Sequence, residues 1–201
     1  MAMKLRIVVP PHPLIAHWLT MLRNAKTPSP LYATGLEELG KWLTYEALRD
    51  WLPHRTEAVK TETSQTTGTV IESSVSLLSI PINPAGFHIW LGGREVLPNS
   101  QLCVKNVPEV IEKNTGILIF IGQISDGIDL RNILQDLMNK KVEVKRIRVI
   151  SAIACSKGLT EIGKFAPELN IYCACIDPDL STDGAIIPGI GNPILKLSTI
   201  M

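Results

Sequence analysis

Residues 75–178 predict an α/β protein with a mainly parallel sheet flanked by helices. Two observations carry that expectation. Short runs rich in β-branched residues at 76–82, 116–121, 146–153 and 170–176 alternate with helix-compatible segments at 85–97, 129–138 and 156–165. Strand–helix alternation of this kind builds parallel strands with crossover helices on both faces. Within the strands, Ile117-Leu118-Ile119-Phe120-Ile121 is continuously apolar, the pattern of a strand buried on both sides. Ligands of such sheets bind beyond the carboxyl ends of the strands. That places the loops after Ile82, Ile121 and Ile176 at the candidate site.

The elements read in order as follows. A short extended arm precedes a helix in which Leu14, Ile15, Trp18, Leu19 and Leu22 recur at helical spacing, stopped by Thr27-Pro28-Ser29-Pro30. Leu36, Leu39, Trp42, Leu43 and Leu48 mark a second helix ending before Pro53. Residues 56–74 are rich in threonine and serine, and their partial alternation allows an edge strand within a loop. The pattern changes to that of the α/β core at Val75. Lys140, Lys141, Lys145, Arg146 and Arg148 are interrupted by Val142, Val144 and Ile147, and read as a helix end running into a strand.

With 201 residues, 45% of them apolar, the chain suits one domain over 1–201: helical arm 1–55, core 75–178 and C-terminal segment 179–201. A formal net charge of +1 gives no electrostatic case for nucleic acid. No apolar run approaches the ~18 residues of a membrane span. The first residues lack a signal peptide's apolar core, so the expectation is a soluble cytoplasmic protein. Cys103, Cys155, Cys173 and Cys175 form no metal-ligand spacing and are expected as buried structural thiols. Alternation in a strand would point Cys173 and Cys175 to one face.

Ser125-Asp126-Gly127-Ile128 follows the apolar strand and opens the next helix. A glycine-bearing turn into a helix N-terminus is a natural anion site, because free amides and the helix dipole both favour negative charge. Here Asp126 stands in the loop and Asp129 at the expected N-cap; both compete for those amides and repel a phosphate. Asp177, Asp179 and Asp183 form a second acidic loop, read as turn chemistry rather than a cation site. His12 and His17 are expected in a core or an interface. Glu46, Arg49 and Asp50 are expected to pair along the helix surface.

At these residues the chain resembles the uracil phosphoribosyltransferases. The resemblance is carried by His12-Pro13-Leu14-Ile15-Ala16-His17-Trp18-Leu19-Thr20 with Arg23 and Thr27, and by residues 43–53, Leu-Thr-Tyr-Glu-Ala-Leu-Arg-Asp-Trp-Leu-Pro. It continues in Ile171-Tyr172-Cys173-Ala174-Cys175-Ile176-Asp177 and Gly184-Ala185-Ile186-Ile187-Pro188-Gly189-Ile190-Gly191, and spans His12 to Gly191. The opening block and residues 49–53 are most similar to the cyanobacterial and plastid branch, which makes the plastid stroma the alternative location. The resemblance implies a type I phosphoribosyltransferase-like fold with a reduced hood. It also implies a homodimer pairing through the N-terminal half, with Trp18 and Trp42 as interface residues.

The family's reaction joins uracil to the ribose 5-phosphate of phosphoribosyl pyrophosphate, with Mg²⁺. This sequence departs from the family's pattern at every part that handles the donor. The phosphate loop, Asp-Pro-Met-Leu-Ala-Thr-Gly-Gly-Ser in the family, aligns with Ile121-Gly122-Gln123-Ile124-Ser125-Asp126-Gly127-Ile128-Asp129. An isoleucine replaces the ribose-associated acid, an aspartate the threonine, and Ile128 a glycine. The pyrophosphate-facing arginine is replaced by Pro84, which offers neither charge nor amide donor. The family's covering hairpin after Val104 is largely missing, and its first C-terminal aspartate is Asn192. Tyr172, Ile187, Gly189, Gly191 and Asn192 correspond to the uracil-reading segment. They persist either as packing and turn geometry or as a site for a uracil-like planar ligand.

The resemblance therefore implies a homologue without catalytic residues or resident metal, kept as a binding, regulatory or scaffold protein for an unnamed protein partner. The alternative is an active pyrimidine-salvage enzyme making UMP, which would then use Mg²⁺.

Overall fold

The computed structural model describes residues 4–72, 74, 76–104 and 106–198. Val75, where the sequence pattern changes, lies outside them. The strands are β1 (Arg6–Val8), β2 (His54–Lys60), β3 (Gln65–Ile71), β4 (Leu77–Ile82), β5 (Ser100–Leu102), β6 (Gly116–Ile124), β7 (Ile147–Cys155), β8 (Asn170–Cys173), β9 (Ile176–Asp177), β10 (Asp179–Leu180) and β11 (Ile186–Ile187). The helices are α1 (Pro13–Arg23), α2 (Ser29–Leu48), α3 (Asn83–Gly93), α4 (Ile128–Asn139), α5 (Ser156–Phe165) and α6 (Pro193–Ser198).

Seven strands form one sheet in the order β1-β8-β7-β6-β4-β5, with β9 also on β7, and each of its ladders is parallel. The expectation of a mainly parallel sheet flanked by helices therefore stands. All nine residues of β7 are buried, as are eight of the nine in β6, because both faces of these central strands are covered. On one face Ile15 and Leu22 of α1, Leu36, Leu39 and Leu43 of α2 and Ile89 of α3 pack with Leu118, Phe120 and Ile150. On the other, Leu130, Leu134 and Leu137 of α4 and Leu159 and Ile162 of α5 pack with Ile117, Ile119, Val149 and Ile171. α2 and α3 cross closely: a Cβ added at Gly92 would lie 1.7 Å from the Glu37 carbonyl oxygen. Only glycine admits that backbone approach.

Several expectations need correction. Residues 56–74 hold not an edge strand of the sheet but most of a hairpin in which β2 and β3 pair antiparallel with each other alone. The third helix ends at Gly93 rather than Leu97, since tight turns follow through Leu97. The strand read over 170–176 is two: β8 ends at Cys173 and pairing with β7 resumes at Ile176. That break defeats the alternation, so Cys173 packs in the layer of α4 and α5 while Cys175 packs on the opposite side. His12 and His17 are exposed rather than core. His12 Nδ1 accepts from the Leu14 amide at 3.2 Å, capping α1, and its ring stacks on Trp42 at 5.9 Å. Arg49 does pair with Glu46, but Asp50 pairs with Arg6 at 3.0 Å and ties the end of α2 to the edge strand.

Candidate functional site

The carboxyl ends of β4 and β6 and the segment after β9 surround a cleft of about 450 Å³. Its floor comes from Asn83 and Ala85 at the β4–α3 turn and from Gly122, Gln123 and Ser125 at the end of β6. Among the described residues its charged lining groups are Asp129 of α4 and Asp183, and Gly191, Asn192, Ile194 and Leu195 line it from the C-terminal segment. Among the described residues no arginine, lysine or histidine lines it.

At the first wall, Asn83 has φ 60° and its Oδ1 accepts from the Gly86 amide at 3.2 Å, so this side chain caps α3. Pro84 follows as an exposed residue of the first turn, where a missing N–H is tolerated. The loop after β6 is wedged against α5. Gly127 has φ 85°, and a Cβ added at Gly158 would sit 2.4 Å from the Ser125 carbonyl oxygen. Asp126 Oδ1 accepts the Ile128 amide at 3.0 Å, so the carboxylate does take an amide that an anion would need. Asp129 is not the N-cap, which is Gly127; its left-handed backbone starts the helix, and Asp129 falls in the first turn facing the cleft. Ile121 is 2% exposed in the α4–α5 layer and Ile128 is 58% exposed.

The second wall is held by side chains that sequence reasoning did not bring together. Arg23, at the end of α1, donates to Asp177 Oδ1 at 2.6 Å and Oδ2 at 2.9 Å, and to the Gly189 carbonyl at 2.9 Å. Asp177 Oδ2 in turn accepts the Gly189 amide at 2.9 Å. The Cys175 thiol donates to Asp177 at 3.3 Å and accepts from Arg23 at 3.2 Å. Burial alone would raise the Asp177 carboxyl, but Arg23, the Gly189 amide and Cys175 outweigh it and hold the group below its usual range. The same pairing raises Arg23. From α2, fully buried Tyr32 donates its hydroxyl to the Ile190 carbonyl at 3.2 Å.

These bonds show how the uracil-like segment is held. Asp177 is not turn chemistry; it is 2% exposed and half of an ion pair that fastens the loop to α1. Both backbone polar groups of Gly189 (φ 66°) are engaged by Asp177 and Arg23. Asn192 Oδ1 caps α6, accepting the Ile194 and Leu195 amides at 3.0 and 3.3 Å. Tyr172 lies away from the cleft, 1% exposed in the layer with α2; the charges acting on its hydroxyl are Arg148, Asp50, Arg6 and Glu46. Ile187 is on the β10–β11 ribbon, 47% exposed. Of the predicted site residues, the structure brings Ser125, Asp129, Gly191 and Asn192 together along one cleft. The signal for Arg23 lay in the opening block of the resemblance. Its partner Asp177 is 154 residues away, beyond any spacing argument.

An all-parallel sheet flanked by helices, with a cleft at its carboxyl edge and an N-terminal helical layer, matches the type I phosphoribosyltransferase-like fold that the sequence resemblance implied. The comparisons give the family. The model of the family "Uracil phosphoribosyltransferase" matches residues 9–193. The chain is 36% identical to the uracil phosphoribosyltransferase of Synechococcus elongatus, with 96% of each chain covered. It is 29% identical to the chloroplastic uracil phosphoribosyltransferase of Arabidopsis thaliana, over 94% of this chain and 69% of that one. The solved structure of the AQ2163 protein from Aquifex aeolicus superposes with a TM-score of 0.83 at 26% identity, covering 96% of this chain and 97% of that one. The chain belongs to the uracil phosphoribosyltransferase family.

Proposed function

We propose that this family member does not transfer phosphoribosyl groups and serves as a binding or scaffold protein. One observation carries the reading: the cleft where a phosphorylated donor would sit is lined by two carboxylates and by no cation. Asp126 already accepts the Ile128 amide at the head of α4, and Pro84 contributes neither charge nor donor. Each missing charge-assisted contact is worth about 1.5–3 kcal/mol, so several together cost on the order of four decades in affinity.

The residues present do not fit the Mg²⁺ that accompanies the donor in the family's reaction. Among the described residues no three His, Cys, Asp or Glu side chains converge. Asp126 is held in its local turn. We derive no step through that ion. Between Leu102 and Gly116 the described residues contain no strand, which supports the reading that the covering hairpin is missing.

The test is a radiolabelled assay for UMP from uracil and phosphoribosyl pyrophosphate, paired with calorimetric titration of the donor in Mg²⁺. Neither turnover nor binding is expected. Turnover above the no-enzyme rate, or micromolar Mg²⁺-dependent binding, restores the salvage-enzyme reading. No helix among the described residues is long and apolar enough to cross a membrane. The chloroplastic relative supports the plastid stroma as the alternative to a cytoplasmic setting.

A further inference from the structure

We propose that the carboxyl-edge cleft docks an exposed segment of a partner protein that presents one arginine or lysine between apolar residues. This deepens the binding-protein reading and rests on it. The first argument is charge. Asp129 and Asp183 line the cleft without a cation among the lining residues, so the site favours a positive group. Lys196 packs its stem at Gly191 but donates its ammonium to the Ala25 carbonyl at 2.8 Å, which commits it to the α1–α2 connection.

The second argument is the rim. Ile194 and Leu195 line the cleft while 54% and 65% exposed, and Ile128, beside Asp129, is 58% exposed. A lone small cation has no use for that apolar surface. A peptide that inserts one basic side chain and lays its apolar neighbours on the rim uses both parts, the anatomy of a protein contact with a polar anchor. Asp183 accepts from the Ser181 hydroxyl, and the backbone amides of Asp183 and Ala185 also favour its charged form; a carboxylate has about four acceptor positions, which leaves room for one further donor.

The experiment titrates the full ¹⁵N-labelled chain with the capped peptide acetyl-Ala-Leu-Arg-Leu-Ala-amide and with its citrulline isostere, which keeps shape and loses charge. Saturable shifts are expected at the amides of Ser125, Gly184 and Gly191, with the citrulline peptide weaker by about tenfold or more. Asp183→Asn, at an exposed turn, should weaken the arginine peptide by a similar factor with an unchanged melting temperature; Asp129→Asn serves as the second variant. Equal affinity of the two peptides, shifts confined to other surfaces, or agmatine binding as tightly as the arginine peptide each overturns the proposal. If the peptide does not bind and phosphoribosyl pyrophosphate does not bind either, the docking proposal alone falls. Donor turnover instead removes the reading beneath it.

Discussion

Replacing Arg23 with methionine removes the cation that joins α1 to the C-terminal loop while keeping an apolar stem of similar reach. Asp177, 2% exposed, would then keep only the Gly189 amide and the Cys175 thiol as donors. Breaking a fully buried pair from one side costs about 3–5 kcal/mol. The Arg23 side chain is 25% exposed, so water can replace part of its role, and the expected loss is ~2–4 kcal/mol. For a chain of this size that is roughly 4–16 °C in melting temperature. Chemical denaturation gives the global figure, and hydrogen exchange at the Gly189 amide shows whether the loop opens first. Asp177→Asn together with Arg23→Met should cost clearly less than the sum of the two single changes, because no unpaired carboxylate is left in the double variant. A loss below about 0.5 kcal/mol with unchanged Gly189 exchange would refute the claim that this pair fastens the loop.

Acid should have the same effect as that mutation. Asp177 is depressed in the folded chain, so its contribution is present above its unfolded pKa of about 4 and is lost as pH falls through the lower folded value; loop amides should lose exchange protection below about pH 4 while the sheet amides keep theirs. Gly189→Val should not leave the fold intact: at φ 66° a Cβ there lies 2.2 Å from the Ile186 carbonyl oxygen, so loss of the Gly189 hydrogen bonds and a cost of at least ~1–3 kcal/mol are expected by denaturation and NMR. Light scattering at micromolar concentration is expected to give a dimer mass, with Trp18 and Trp42, both half-buried on the N-terminal helices, as the contact to test by alanine substitution; a monomer mass counts against that pairing.

What the sequence determined by itself was the periodic part of the molecule. Helical spacing in α1 and α2, apolar runs in β4, β6 and β7, and the breaks between them depend on residues a few positions apart, so local pattern suffices. The acidic turn after β6 was legible for the same reason: Asp126 accepts the amide of Ile128, two residues away. The polar hairpin was missed because β2 and β3 have no buried face to impose strict alternation; all seven residues of β2 and five of the seven in β3, all but Gly68 and Val70, are exposed. Tertiary structure decided the other wall of the cleft. Arg23 meets Asp177 across 154 residues, Tyr32 meets Ile190 across 158, and Asp50 finds Arg6 rather than its helix neighbours. A long charged or aromatic side chain can satisfy its hydrogen bonds with any partner the fold brings near. Only the packing of α1 and α2 over the sheet selects which groups it reaches, here Asp177, Gly189 and Ile190 of the C-terminal segment.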